Sequence, residues 1–209
     1  MSITRPDRVP LDGRFVRLEP LADEHVPGLW VALGRPEVFA GGFGGGPAGL
    51  PADEAAFTEW VWASTPNEAG NTYVARLASG PDAGTVVGMS SLADFDLKHG
   101  HAHIGWTGWD PRVWGTAVNP EAKLLMLATA FDHGFGRVKL QADVLNDRSR
   151  AAILKLGATF EGITRRDRLR ADGSVRDTAV YSIIVDEWPE VRAALEQRLA
   201  GASPVRLLQ

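Results

Sequence analysis

The 209-residue sequence contains no cysteine, which excludes a disulfide framework, a thiol nucleophile and a thiolate metal site. It also has no basic surplus: 22 Lys and Arg stand against 26 Asp and Glu, giving a formal net charge of -4. General nucleic-acid binding, which needs many cationic side chains to neutralise phosphates, is therefore not expected. No segment approaches the ~20 apolar residues of a membrane span, and residues 1–7 lack the apolar core of a signal peptide. We expect a cytoplasmic protein, either a monomer or a homodimer.

Hydrophobic periodicity predicts the order strand, helices, strands, helix, strand, helix, strands, helix, which is typical of an α/β or α+β fold built on one sheet. No internal repeat or second domain is apparent, so residues 1–209 are predicted to form a single domain. The predicted strands cover residues 14–18, 72–77, 85–89, 101–106, 138–144, 159–169 and 178–185. Predicted helices cover residues 23–33, 53–64 and 188–200, and two more begin at Asn119 and after Asn146.

The most informative segment ends an apolar strand, makes a turn with a glycine and opens a helix. The first amides of a helix lack intrahelical acceptors and lie at the positive end of its dipole, so a turn at residues 114–117 can present N–H groups to one anion. Gly115 and Ala117 allow the backbone to approach that anion closely. Asn119 is predicted to cap the helix, with Pro120 at its first position. The inward stripe of this helix is predicted to be Leu124, Leu125, Ala128 and Phe131.

Two motifs in this order resemble a known family. Arg112-x-x-Gly115-x-Ala117 is similar to the Arg/Gln-x-x-Gly-x-Gly/Ala signature with which GNAT-superfamily N-acetyltransferases hold the pyrophosphate of acetyl-CoA. Downstream, Asn146-x-x-Ser149 is followed by a helix and by Lys-x-Gly, as in that family. Two further segments follow these motifs: Phe-Glu-Gly at residues 160–162 and Asp-Gly-Ser-Val-Arg-Asp at residues 172–177. Together with them, the sequence resembles the branch of the ribosomal-protein N-terminal alanine acetyltransferases. The close resemblance covers roughly residues 85 to 188.

The resemblance implies one domain with a mixed, mostly antiparallel sheet flanked by helices, here with an extra C-terminal helix. It also implies acetyl-CoA as cosubstrate, with the pantetheine arm received by a splayed strand that runs through Ile104 to Trp109. The residues implied to bind acetyl-CoA are Trp109, Arg112, Trp114, Gly115, Thr116, Ala117, Asn119, Asn146 and Lys155.

Within that set, the resemblance implies that Asn146 hydrogen-bonds the pantetheine arm and that Ser149 is the general acid that protonates the leaving thiolate. Each residue also has a plainer interpretation. Asn146 is a possible helix cap and Ser149 an ordinary first-turn residue. Arg112 fits a surface arginine, and Lys155 fits a lysine that favours the helix dipole.

The general base is less well indicated. The related enzymes are thought to use a glutamate on the strand after the Glu-Gly motif, and Arg168 occupies that place here; the neighbouring Asp167 is predicted on the opposite face. Relatives also carry a glutamate where this chain has His103, which makes His103 a candidate base, with a packed or surface histidine as the alternative. The spacing of His99, His101 and His103 invites a metal interpretation, but nothing supplies further ligands, and no metal is expected.

An active enzyme of this kind transfers an acetyl group to a primary amine. Presenting a lysine amine of pKa ~10.4 in its neutral form at pH 7 costs about 4.6 kcal/mol, against about 1.2 kcal/mol for an α-amine of pKa ~7.9. The expected acceptor is therefore a peptide or protein N-terminal α-amine or a small-molecule amine, and the acidic balance of the chain slightly favours a cationic one. The alternative is a catalytically inactive CoA-binding sensor or scaffold of the same fold.

The Gly-rich segment of residues 40–49 is too rich in glycine to hold one conformation by itself. It has two interpretations: a flexible surface loop, or a loop that gates the acceptor site. Five tryptophans similarly fit either core packing, the commoner use of this residue, or an aromatic acceptor pocket: Trp60, Trp62, Trp106, Trp109 and Trp114.

Overall fold

The computed structural model describes residues 2–207 and contains an eight-stranded sheet with the order β1-β2-β3-β4-β5-β6-β8-β7. Only β5 and β6 pair in parallel; the other neighbours are antiparallel. The strands are β1 Leu11–Asp12, β2 Val16–Pro20, β3 Asn71–Leu77, β4 Val86–Asp96, β5 His101–Trp109, β6 Arg137–Asp143, β7 Thr159–Leu169 and β8 Val175–Ile184. The helices are α1 Val26–Leu33, α2 Pro36–Ala40, α3 Glu54–Ser64, α4 Val118–Asp132, α5 Asp147–Leu154 and α6 Trp188–Ala200.

This architecture confirms the predicted mixed, mostly antiparallel sheet with flanking helices and a C-terminal helix. Helix α6 has the predicted bounds, and every predicted strand is present, although β4 and β5 extend several residues further than expected. The two-residue β1 and the five-residue α2 were not predicted, since neither is long enough to show a periodic pattern. Among residues 2–207, no helix combines the length and the apolar character needed to cross a membrane.

The start of α4 differs from the prediction. The helix begins at Val118 with Ala117 as its N-cap, so the assignment of Asn119 as the cap was wrong. The Asn119 side chain instead accepts a hydrogen bond from Trp109 Nε1 at 2.9 Å. Pro120 is the third helical residue, where its missing N–H removes no intrahelical bond because the first four amides have no partner inside the helix.

The buried face of α4 is also rotated from the predicted stripe. Phe131 is buried as expected, whereas Leu124, Leu125 and Ala128 are only partly buried. Two charged residues, Glu121 and Lys123, occupy the buried face and disguise its periodicity. The apolar residues buried on this helix are Val118, Ala122, Met126, Leu127, Ala130 and Phe131.

Glu121 attaches α4 to the first long strand. Its carboxylate accepts hydrogen bonds from the backbone amides of Arg14, Phe15 and Val16 at 2.9, 2.6 and 2.7 Å. The buried charge is therefore satisfied by three donors, an arrangement that permits a carboxylate inside a protein. These bonds hold α4 against the edge of β2.

The parallel contact between β5 and β6 is short. It joins His101, Ala102 and His103 to residues 137–139, and beyond this point the two strands diverge. Residues 104–109 consequently have no partner on the β6 side, and a cleft opens there. The predicted splayed strand is thus present, and it positions the candidate site.

Candidate active site

Three cavities meet in the cleft between β5 and β6. The helix-side cavity, of about 310 Å³, lies against the turn before α4 and the first turns of α5. The loop-side cavity, of about 350 Å³, lies between the Gly-rich segment, β5 and β7. The two cavities share Phe43, Thr107, Asn146 and Ser149 in their walls. A third cavity of about 100 Å³ lies inside the splay and is also lined by Thr107 and Ser149.

Most residues implied by the sequence motifs surround the helix-side cavity. Two of them, Arg112 and Ala117, are not in its wall. Those that line it are Trp109, Trp114, Gly115, Thr116, Asn119, Asn146, Ser149 and Lys155.

The turn before α4 presents an open backbone. Gly115 has φ +77, and a Cβ placed on it would meet no atom within 4 Å. In the described chain its amide has no hydrogen-bond acceptor. The turn is braced from both sides, since Trp114 Nε1 donates to the Trp109 carbonyl at 2.9 Å and the Thr116 hydroxyl donates to the Val113 carbonyl at 2.7 Å. The arrangement offers a free N–H beside a helix N-terminus, as an anion site requires.

Arg112 does not line this cavity. Its guanidinium binds both oxygens of the fully buried Asp110, with an Nη2–Oδ2 distance of 2.7 Å, and this pairing raises the pKa of Arg112. Asp110 also accepts from the Arg112 backbone amide at 2.9 Å. In this structure Arg112 therefore supports the conformation of the turn instead of lining the cavity.

Other cations surround the helix-side cavity. Arg148 lies over the Trp114 ring, with its guanidinium carbon 3.4 Å from the ring centroid, and burial lowers its pKa. Lys155 and Arg198 complete the basic part of the wall. Arg148 stands inside the second motif but was not singled out there. Arg198 comes from α6, distant in sequence, and no local pattern marks it as a site residue.

Asn146 caps α5, as its plainer interpretation predicts, and it also lines both large cavities. Its Oδ1 accepts from the Ser149 amide at 3.0 Å, so it caps α5, and its Nδ2 faces Gly41 at the boundary of the two large cavities. The Ser149 hydroxyl has no hydrogen-bond partner among residues 2–207, and Ser149 lines all three cavities. The cap holds Ser149 through its backbone and leaves the hydroxyl available.

His103 is a buried histidine with one free ring nitrogen. Its side chain is 3% exposed, Nδ1 lies 2.9 Å from Asp94 Oδ2, and the buried Nε2 has no partner in the described structure. Burial lowers the pKa of His103 below its usual value, against the opposing effect of Asp94. The neutral ring, with Nδ1–H donating to the carboxylate, leaves a lone pair on Nε2. His103 lines the loop-side cavity and packs against Trp106.

The neighbouring His99 contacts a carboxylate at the surface. His99 Nδ1 lies 2.8 Å from Asp96 Oδ2 at the surface. Within residues 2–207, no three His, Cys, Asp or Glu side chains form a group that would hold a metal ion.

The Gly-rich segment forms the outer wall of the loop-side cavity. Gly42, Gly44 and Gly45 have positive φ angles, which glycine adopts without strain. The Gly45 carbonyl accepts from the Ala171 amide at 3.0 Å and so attaches the segment to the β7–β8 turn. Phe43 packs against Trp60, with 5.5 Å between the ring centroids, and both rings line the cavity. The segment borders the predicted acceptor site; gating by it stays a prediction.

Known proteins share the fold of this chain. Residues 16–159 match the acetyltransferase (GNAT) domain, and the chain belongs to that family. A candidate acetyltransferase from T. thermophilus is 33% identical, with a TM-score of 0.79 over 91% of this chain and 96% of that one. A GCN5-related N-acetyltransferase from Brucella melitensis is 26% identical, with a TM-score of 0.85 over 99% and 95%.

A third structure shares the fold at lower identity. The Microcin C7 self-immunity acetyltransferase MccE, solved in complex with acetyl-CoA and AMP, is 19% identical, with a TM-score of 0.67 over 83% of this chain and 94% of that one. No curated protein sequence matches this chain. The predicted GNAT resemblance is confirmed, and the chain is an acetyltransferase by family.

Proposed function

We propose that the protein is an acetyl-CoA-dependent N-acetyltransferase whose acceptor is a primary amine, either a peptide N-terminal α-amine or the amine of a small molecule. One observation carries the proposal: the helix-side and loop-side cavities share Thr107, Asn146 and Ser149. A donor in one cavity and an acceptor in the other would meet at these residues. Transfer between two bound substrates needs such a junction, because holding both reacting groups in place removes much of the entropic barrier.

The helix-side cavity fits a nucleotide-bearing donor. The free Gly115 amide and the start of α4 suit phosphate oxygens, and Arg148, Lys155 and Arg198 supply positive charge around them. The side chain of Asn146, which lines both large cavities, would hydrogen-bond the pantetheine arm. When bound, the thioester supplies an acyl group already activated toward an amine.

The protein then has to transfer two protons, one to the departing thiolate and one from the attacking amine. As the amine nitrogen bonds to the acetyl carbonyl carbon, the carbon–sulfur bond breaks and the Ser149 hydroxyl donates its proton to the departing thiolate; Ser149 then recovers a proton through water, balanced by the proton that the attacking amine releases. The proton of the attacking amine passes to Nε2 of His103, directly or through one water. Asp94 holds the ring in the tautomer that this transfer needs, in the manner of other oriented histidine bases.

The test is thiol release from acetyl-CoA by the purified protein, measured with N-terminal peptides, lysine peptides, polyamines and small amines. We expect release with α-amines or small amines and little with lysine peptides. Release with lysine peptides alone would overturn the predicted acceptor class. Binding of CoA without release for any amine would replace the proposal with the catalytically inactive CoA-binding alternative.

A further inference from the structure

The loop-side cavity has an excess of positive charge, although the whole chain carries a net charge of -4. Three arginines line it: Arg168, Arg170 and Arg176. Within the described residues, Asp143 is the only carboxylate in the same wall. The local field of the cavity is therefore opposite in sign to the overall charge, and the weak preference for a cationic acceptor that the composition suggested does not apply here.

Two of the three arginines have carboxylate partners within the protein. Arg170 binds both oxygens of Asp143, with Nε–Oδ2 and Nη2–Oδ1 distances of 2.8 and 3.0 Å. Arg168 Nε donates to Asp167 Oδ2 at 3.1 Å, although half of the Arg168 side chain remains exposed. The carboxylate of Asp143 therefore compensates the charge of Arg170 fully, and that of Asp167 compensates the charge of Arg168 in part.

Arg176 has no such partner. Its Nε donates to the Thr178 hydroxyl at 3.0 Å, and its guanidinium forms no ion pair with any carboxylate in residues 2–207. Arg168 is its direct partner in the β7–β8 ladder, so two like charges stand opposite each other. Burial, together with the charge of Arg168, lowers the pKa of Arg176. Like charges in a directly opposed pair destabilise a sheet, and an anion bound between them would reverse that effect.

We propose that the acceptor amine also carries an oxyanion, a carboxylate or a phosphate, which Arg176 and Arg168 bind in the loop-side cavity. The proposal rests on the proposed acetyltransferase function and assigns its substrate class. The planar guanidinium of Arg176 suits a bidentate contact with either oxyanion.

The experiment compares acceptors in matched pairs that differ only in the anion. The carboxylate arm uses the amidated dipeptides Ala-Glu and Ala-Gln, which share the same α-amine, and also β-alanine and its amide. The phosphate arm uses phosphoethanolamine and ethanolamine. The kcat/KM for thiol release is expressed per neutral amine, so that different amine pKa values do not enter the comparison. We expect the anionic member of at least one arm to be preferred at least about tenfold, and the preferred arm identifies the oxyanion.

Variants test the arginines directly. In Arg176→Gln and in Arg168→Gln, the preference for the anionic acceptor should fall toward one, while the Kd for CoA stays unchanged. The matched control is Arg165→Gln, an exposed arginine of the same strand as Arg168 that lies outside the cavity wall; it should keep the preference. Because Arg168 is half-exposed, Arg168→Gln should fold, and its acceptor preference tests the proposal even if Arg176→Gln does not fold.

The outcomes separate this proposal from the one on which it rests. Equal kcat/KM within every pair, or a preference for the neutral members, would overturn the anionic acceptor and leave the acetyltransferase function standing. A preference that persists unchanged in both variants would overturn the roles of Arg176 and Arg168. Absence of thiol release with all six acceptors and with the wider amine panel, while CoA still binds, would overturn the acetyltransferase function itself.

Discussion

Lys123 Nζ donates to Thr107 Oγ1 at a distance of 2.6 Å, in the interior of the protein between α4 and β5. The same ammonium donates to Ser90 Oγ at 2.7 Å, and the two hydroxyls lie 2.8 Å apart. Lys123 is 4% exposed, and burial lowers its pKa to about 7. Because Thr107 lines all three cavities, this buried amine holds a hydroxyl in the wall at which donor and acceptor are proposed to meet.

Lys123→Met should stabilise the protein at neutral pH. A lysine with a pKa of about 7 in the folded state and ~10.4 in the unfolded state binds more protons when unfolded at every pH between these values. Its burial therefore opposes folding by about 5 kcal/mol below pH 7, and this cost disappears as the pH rises toward ~10.4. Methionine removes the charge while Ser90 and Thr107 keep each other as partners. We expect the free energy of unfolding at pH 7 to rise by about 1 to 4 kcal/mol.

The measurement is chemical denaturation of wild type and variant between pH 7 and pH 10. The stability difference between them should shrink as the pH increases, because only the wild type gains stability through Lys123. Lys98→Met is the matched control, since Lys98 is exposed and should change stability little at any pH. Two stability curves that stay parallel across this range would show that Lys123 does not lose its proton there.

Gly115→Val should weaken CoA binding at least about tenfold. The positive φ of Gly115 disfavours a β-branched residue, and the added side chain would cover the amide on the open side of the turn. Calorimetric titration with CoA measures the effect. Gly84→Val serves as the control, because Gly84 has φ +86 and equally open surroundings in the β3–β4 connection, away from the cavities. An unchanged Kd in Gly115→Val would exclude this turn from the CoA site.

Ser149→Ala should lower kcat by about 10²-fold and leave the Kd for CoA unchanged. The substitution removes the hydroxyl that has no partner in the described structure, but not the backbone amide that Asn146 caps. Helix α5 and the cavity wall should therefore persist. Steady-state thiol release at saturating substrates gives kcat, and Ser149→Thr, which retains a hydroxyl, should recover part of the rate. If Ser149→Ala keeps full activity, Ser149 is an ordinary residue of the first helical turn.

Hydrophobic periodicity predicted the strands of the sheet and the main helices, and both motifs are visible directly in the sequence. The turn at Gly115 and the Asn146 cap are encoded within a few residues of sequence, so they could be found there. The rotation of α4 could not, because the partners of Glu121 and Lys123 come from distant segments of the chain. A prediction from helical periodicity assumes that every charged residue is exposed, and it therefore assigns the buried face of such a helix incorrectly.

The charge of the loop-side cavity depends on long-range contacts in the same way. Arg168 is visible in the sequence as a departure from the family pattern, but its alignment with Arg176 depends on the register of β7 and β8. The composition shows that the chain as a whole is acidic, but it does not show which charged residues line a particular cavity. The contribution of Arg198 from α6 likewise arises only when that helix docks beside α4.

His103→Gln should remove the acidic limb of the pH–rate profile. The base acts when neutral, so activity falls as the pH drops through its pKa, which burial places below the usual ~6.5. The charges around the ring are Asp94, which raises its pKa, and Lys139 and Arg168, which lower it. The acceptor amine titrates as well. The pH–rate profiles of wild type and variant should therefore be measured with an aryl amine as acceptor, because it stays neutral through this range.

Asp94→Asn gives the complementary test of His103. Without the carboxylate, the pKa of His103 should fall further, so the acidic limb should move to lower pH, while the maximal rate drops because the ring loses the partner that orients it. Asp96→Asn, which alters the equivalent surface contact to His99, should leave both features unchanged. An acidic limb that is identical in wild type, His103→Gln and Asp94→Asn would assign the base to another group, and Lys123, connected to the cavity wall through Thr107, would be the first residue to examine.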